Sequence, residues 1–100
     1  YDGFSFLTVM WVEALGFCEH GRGGGFIGGG ARIALDGELP LNTSGGQLSG
    51  GRLHGMGFLH EACVQLWGEG GERQAPNTPE VVAVGVGGGP VAGSMLVSSR

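Results

Sequence analysis

The segment Asn42–Gly57 reads NTSGGQLSGGRLHGMG. Four of its glycines, Gly45, Gly46, Gly50 and Gly51, stand ahead of a helical pattern. Glycine lets the backbone take positive φ and lie close against a ligand. A helix expected over Leu53–Trp67 would point its unpaired N–H groups back at this turn. Such a site stabilises negative charge, whether on a phosphate, a thioester oxygen or an enolate. We therefore read Asn42–Gly57 as an active-site turn leading into a helix, in a chain that is one piece of a larger enzyme. The nucleotide option fails on its residues. Gly46–Gly51 nearly match a phosphate loop, but Arg52 and Leu53 stand where the phosphate lysine and the magnesium-binding hydroxyl belong.

Working outward, the turn follows a short extended segment at Leu39–Leu41, held by Pro40 and preceded by an Asp36-Gly37 turn. Ala31–Leu35 is expected as a short strand. Gly21–Gly30 is a glycine-rich loop whose Gly23, Gly25 and Gly28 spell G-x-G-x-x-G. It follows a helix and opens none, so we read a close backbone approach rather than a dinucleotide site. Phe4–Phe17 is expected as a helix, capped by Ser5 and closed by Gly16. It is apolar on nearly all sides, so it needs burial on nearly all sides. That is one argument that a partner domain covers it. On the other side of the turn, Met56, Leu59, Cys63 and Leu66 share one face of the Leu53–Trp67 helix, with Glu61 and Gln65 on another. Gly68 ends that helix and Glu69–Pro79 is a polar loop. Val81–Val86 has the β-branched run of a strand buried on both faces, and Ser94–Ser98 pairs with it antiparallel across Gly87–Pro90. The order implies an α/β fold.

Composition narrows the function. Of 100 residues 24 are Gly, yet Leu, Ile, Val and Phe total 26, so a packed fold is expected, marginal if it stands alone. The formal charge is −4, with five Arg and no Lys, which excludes an electrostatic nucleic-acid footprint. No apolar run reaches membrane-span length. Cys18 and Cys63 form neither a disulfide framework nor a zinc-ligand spacing, so no metal is expected and a reducing, cytoplasmic setting fits. Asn42-Thr43-Ser44 matches a glycosylation acceptor, a chance match without secretion. The chain opens on Tyr1, and we expect a cut, a processed end or an incomplete record there.

Asn42-Thr43-Ser44-Gly45-Gly46 resembles the N-x-x-G-G motif of the C-terminal half of thiolases. Gln47 to Met56, the opening Tyr1-Asp2-Gly3-Phe4, Glu13–Cys18 and Gly87-Gly88-Gly89-Pro90 are more similar to the thiolase-like lipid-transfer proteins, relatives of the sterol-carrier-protein thiolases. The resemblance runs over almost the whole chain in one order. It implies the C-terminal part of a thiolase-like layered α/β/α domain over residues 1–100. Three departures bear on the reaction. Arg52 stands where a thiolase G-H-P motif supplies its histidine. Gly85-Val86-Gly87 stands where C-x-G supplies an acid/base cysteine. The nucleophilic cysteine of the family's other half is absent, since neither Cys18 nor Cys63 falls on a motif.

The resemblance implies an enzyme acting on acyl-CoA thioesters, by retro-aldol cleavage of a lipid or steroid side chain rather than thiolysis. The alternatives are a non-catalytic acyl-CoA-binding or scaffold subunit, and a structural fragment inactive alone. Asn42 would help hold an oxyanion-hole water, and Tyr1, Arg52 or His54 would supply or assist the base. Tyr1, with an ordinary pKa of about 10, would need a nearby positive charge, which Arg52 could be. Arg52 is equally a surface or CoA-phosphate contact, and His54 a helix-start packing residue. Gly45, Gly46, Gly87 and Gly88 would contact substrate. No cofactor is implied beyond the coenzyme A of the substrate. A homodimer and an OB-fold, zinc-containing partner subunit are implied by resemblance alone. Glu13, the lone charge in an apolar helix, is expected to bond backbone, and His20 and His60 to face solvent.

Overall fold

The two apolar runs at the end of the chain pair as β1 (Val81–Gly88) and β2 (Val91–Ser98), an antiparallel hairpin in which Val81 lies opposite Ser98 and Gly88 opposite Val91. Both strands extend further toward the turn than their β-branched residues suggest. Only Gly89-Pro90 connects them, and Gly89 takes φ +67° at the first central position, where a two-residue type II′ turn requires glycine. The computed structural model describes residues 1–100.

The chain also forms four helices: α1 (Ser5–Ala14), α2 (Gly23–Phe26), α3 (Gly46–Gly50) and α4 (Met56–Trp67). Short 3-10 turns occur at Gly28–Gly30 and Gly71–Arg73. The architecture is mixed α/β, with β1 between two helices. A Cβ on Gly85 would lie 2.7 Å from the Trp11 ring of α1, and a Cβ on Gly55, just before α4, would lie 2.7 Å from Val86. Glycine at those points lets α1 and the α4 start approach the sheet closely. The Trp11 Nε1–H also donates to the Gly87 carbonyl at 3.0 Å.

α1 and α4 end alike. At α1, the Gly16 N–H bonds Glu13 O and the Phe17 N–H bonds Val12 O, with Gly16 at φ +82°. At α4, the Gly68 N–H bonds Gln65 O and the Glu69 N–H bonds Val64 O, with Gly68 at φ +71°. Both are Schellman closures, which satisfy carbonyls that a helix end leaves free. Both terminating glycines are legible in the sequence. Helix starts are not. Ser5 is the first residue of α1 and caps nothing; Phe4 holds the cap position with no side-chain bond. α4 begins at Met56 rather than Leu53, because His54 (φ +50°) and Gly55 (φ +91°) are left-handed and break the helical path.

The strand expected at Ala31–Leu35 is a series of turns instead. Its carbonyls are taken by its own downstream chain: Leu39 N–H bonds Arg32 O and Leu41 N–H bonds Ile33 O. Arg32 also folds back, donating to Phe26 O at 2.8 Å and stacking 4.6 Å from the Phe26 ring. No neighbouring strand is left to pair with it. In the glycine-rich loop, Gly23 opens α2 against α1, where a Cβ would lie 2.5 Å from Val9. Close backbone approach is the reason for that glycine.

The core is small and holds Val12, Ala62, Val64, Leu66, Ala75 and Val84. The buried face of α4 includes Leu66 but is otherwise not the apolar face read from the sequence. Glu61 and Gln65 are buried, whereas Met56 is 61% exposed and Cys63 only half-buried. No helix is long and apolar enough to cross a membrane.

Candidate active site

Two cavities flank the Asn42 turn. The larger, about 450 Å³, lies between α1, α4, β1 and the segment 36–44, and Tyr1, Asn42, Phe58 and Gly85 are on its wall. The smaller, about 300 Å³, lies between the turn and the start of α4, against Gln47, Gly51, His60 and Arg73. Of the expected site residues, Tyr1 and Asn42 line the larger cavity.

Tyr1 is fixed in three ways. Its backbone nitrogen donates to Gly85 O at 2.8 Å, its carbonyl accepts from Thr8 Oγ1 at 3.4 Å, and its ring meets Phe58 edge-on at 6.2 Å. The ring also folds over Gly3, whose Cβ would lie 2.6 Å from Tyr1 Cε1. Asn42 has φ +50°, in the left-handed region that asparagine tolerates better than most residues.

The turn differs from expectation in where its amides point. It leads first into α3 and only then into α4. The N–H of Gly45 bonds Asn42 O at 2.8 Å, that of Gly46 bonds Ser44 Oγ at 3.3 Å, and that of Gln47 bonds Asp2 Oδ2 at 2.9 Å. Asp2 Oδ1 accepts a second bond from Gln47 Nε2 at 2.8 Å. The negative charge at this helix start is thus the chain's own Asp2 carboxylate. Gly46 is glycine because any Cβ would strike Asp2 Oδ2. Contact of Gly45 or Gly46 with a ligand would use backbone proximity, not these N–H groups.

Arg52 and His54 are exposed, and neither lines either cavity. Arg52 therefore does not stand beside Tyr1 within this chain. Gly87 and Gly88 sit at the hairpin end, beside Trp11 and Leu7 of α1. Gly85 has no room for a side chain, since Trp11 fills the space its Cβ would need.

Sequence reasoning missed the polar cluster behind the turn. Glu61, 7% exposed, accepts from Thr43 Oγ1 at 2.7 Å, from Gln65 Nε2 at 3.0 Å and from Arg73 Nε at 3.0 and 3.2 Å. Gln65 in turn donates to Arg73 O and accepts from the Ala75 N–H. Burial pushes the Glu61 carboxyl up, but the bonds from Thr43, Gln65 and Arg73, with the Arg73 charge, outweigh it and hold the group below its ordinary range. A signal was present: Glu61 and Gln65 are four apart on one helix face, opposite an Arg in a polar loop. Elsewhere, Glu13 accepts from the Gly21 and Gly23 amides at 2.9 Å each, as expected of it, and also pairs with the exposed His20 at 3.2 Å. His60 is exposed, as expected.

A model of the thiolase C-terminal domain-like family matches residues 1–100. The chain belongs to that family. Among curated relatives of this thiolase-like chain, a 17-hydroxy-3-oxo-4-pregnene-20-carboxyl-CoA lyase of Mycobacterium tuberculosis is 46% identical over 68 residues, covering 68% of this chain and 17% of that protein. A steroid side-chain-cleaving aldolase of Thermomonospora curvata is 36% identical over 100 residues, covering all of this chain and 25% of that protein. The solved structure of the Ltp2-ChsH2(DUF35) aldolase superposes on all of this chain with a TM-score of 0.84 at 36% identity, covering 26% of that chain. The fold is therefore that of the layered α/β thiolase-like domain. The chain spans a quarter or less of the length of these two curated relatives.

Proposed function

We propose that the protein carrying this domain is a carbon–carbon lyase that cleaves β-hydroxyacyl-CoA thioesters by a retro-aldol reaction, with a steroid or other lipid side chain as substrate. The observation that carries this reading is the convergence of Tyr1 and Asn42 on one cavity whose wall at Gly85 holds no thiol. The family's lyase and aldolase members support it. In this reaction a base removes the β-hydroxyl proton and the Cα–Cβ bond breaks. Cβ becomes a ketone or aldehyde carbonyl. The electron pair passes to Cα as a thioester enolate, which a proton then quenches. No oxidant, reductant or further cofactor enters.

Tyr1 is the base candidate, because its ring is fixed at the cavity. The positive charge it needs comes from outside this chain. Asn42 would hold the water that meets the enolate oxygen. Gly45, Gly46, Gly87 and Gly88 would let the thioester lie close to the backbone, and the exposed Arg52 and His54 would meet the coenzyme A portion. A homodimer and a second, OB-fold and zinc-containing subunit belong to this reading; the solved Ltp2-ChsH2(DUF35) aldolase is itself a pair of named components. A cytoplasmic location belongs to it as well.

A second reading, a non-catalytic acyl-CoA-binding subunit, is favoured by Gly85 and Arg52 standing where thiolases carry cysteine and histidine. The intact protein, with its partner subunit, is assayed on β-hydroxyacyl-CoA of varied chain, reading the carbonyl product and the shortened acyl-CoA by mass spectrometry. The lyase reading expects both products, and Tyr1→Phe lowers kcat at least about a hundredfold, as loss of a general base does. Acyl-CoA binding with no cleavage of any chain would leave the second reading standing.

A further inference from the structure

Asn42 and His54 are the two non-glycine residues with positive φ, and Asn42 is the one on the cavity wall. Asparagine tolerates that region but has other conformations open to it, so contacts must hold the turn there. Three bonds do so here. The Leu41 N–H bonds Ile33 O at 3.2 Å on one side, and the Gly45 N–H closes the turn on Asn42 O at 2.8 Å. On the other side Thr43 Oγ1 donates to Glu61 Oε1 at 2.7 Å. Of the three, only the Thr43 bond ties the turn to a long helix of the core.

Glu61 is itself fixed from behind. Arg73 Nε reaches both of its oxygens and Gln65 Nε2 reaches Oε1, while Gln65 also holds the Arg73 carbonyl and the Ala75 N–H. An unbroken series of bonds thus runs from the 71–75 segment through α4 to Thr43, one residue from Asn42. A carboxylate with this many donors stays ionised and is a weak proton acceptor, so its place near the cavity does not make it the base.

We propose that Glu61 is a positioning residue: clamped by Arg73 and Gln65, it holds Thr43 and thereby sets the Asn42 side chain at the cavity wall. The catalytic consequence rests on the lyase reading above; the conformational one does not. Displacing a catalytic group by about 1 Å can cost a hundredfold in rate, so a loosened turn should lower kcat more than it raises KM.

The test uses the intact protein with its partner subunit and the variants Thr43→Val, Thr43→Ser and Glu61→Gln. Thr43→Val is nearly isosteric and removes only the donor. We expect Thr43→Val and Glu61→Gln to lower kcat about tenfold or more with KM within about twofold, and Thr43→Ser to recover most of the loss. Hydrogen exchange should accelerate at the Gly45 amide in Thr43→Val and Glu61→Gln but not in Thr43→Ser. Wild-type kcat and exchange in Thr43→Val overturn the proposal. So does a lowered kcat without faster exchange, because Thr43 would then act on substrate directly. If the wild-type complex cleaves nothing, the lyase reading fails, and exchange alone decides the clamp.

Discussion

The polar cluster behind the turn and the exposed apolar residues of the α1 region and β2 are opposites. Behind the turn, a carboxylate and an amide are buried and fully engaged by side chains and backbone. On the outside, Phe4, Phe6 and Met10 of the α1 region and Val91, Met95 and Leu96 of β2 are each at least half exposed. Phe4 and Phe6 even stack on each other, 5.6 Å apart. Only 12 of 100 residues are buried. The contrast separates two kinds of incompleteness. The interior polar contacts close within this chain, so they set local geometry. The apolar residues of the α1 region and β2 stay exposed within it, and large exposed apolar patches mark interaction sites or aggregation hazards.

The largest expected effect follows from these exposed apolar residues. Residues 1–100 expressed alone should aggregate or pack loosely, with dye-accessible apolar surface and weak near-ultraviolet dichroism. A monomeric 100-residue chain with a sharp, cooperative unfolding transition would break the comparison, because the apolar faces would then need no cover. Replacing Phe6 and Leu96 by Ser should improve solubility of the isolated chain while weakening the intact protein. Improvement in both would mean that nothing packs there.

A middle-sized effect comes from the interior. Arg73→Met in the intact protein leaves the buried Glu61 carboxylate without its cation. Half of Arg73 is exposed, so water replaces part of the lost interaction, and the expected cost is about 2 kcal/mol rather than the larger figure for a fully buried pair. The cost should depend on pH. Glu61 has a folded pKa below its unfolded value of about 4.3, so its contribution is complete above that value and fades as pH falls through the folded pKa. Denaturant titrations of wild type and Arg73→Met should therefore diverge at neutral pH and converge in acid. A difference that holds constant from pH 7 to pH 3 would show that the Arg73 stem, not its charge on Glu61, supports the site.

The same contrast explains what the sequence could and could not say. Gly16 and Gly68 announce their helix ends because a left-handed terminal residue is a local matter that glycine alone solves well. The hairpin is legible because β-branched runs around Gly89-Pro90 have one economical pairing. Tyr1 and Asn42, both singled out from the sequence, line one cavity beside the turn, whereas Arg52 and His54 do not. The buried face of α4 is not legible, because periodicity ranks residues by apolarity and cannot see that Thr43 and Arg73 will satisfy Glu61. Asp2 is invisible for the same reason: its partner Gln47 is 45 residues away. The strand at Ala31–Leu35 fails because a β-prone run needs a neighbour, and its carbonyls are taken by Leu39 and Leu41 instead.

The smallest effect is at the chain's third acidic anchor, Glu13, where interior and exterior logic meet. Its carboxylate accepts the Gly21 and Gly23 amides, and it also meets His20, whose side chain is 99% exposed. The Gly21 and Gly23 bonds hold the Glu13 carboxyl below its ordinary value against a small opposing burial effect, with His20 adding last. If amides matter and the exposed ion pair does not, His20→Ala should leave the unfolding midpoint of the intact protein unchanged, since exposed pairs contribute little. Glu13→Gln should lower the midpoint and speed hydrogen exchange at Gly21 and Gly23. Because the folded pKa is depressed, that difference should be present at neutral pH and vanish as Glu13 protonates. A His20→Ala loss equal to that of Glu13→Gln would mean that the surface pair, rather than the two amide bonds, ties the α2 loop to α1.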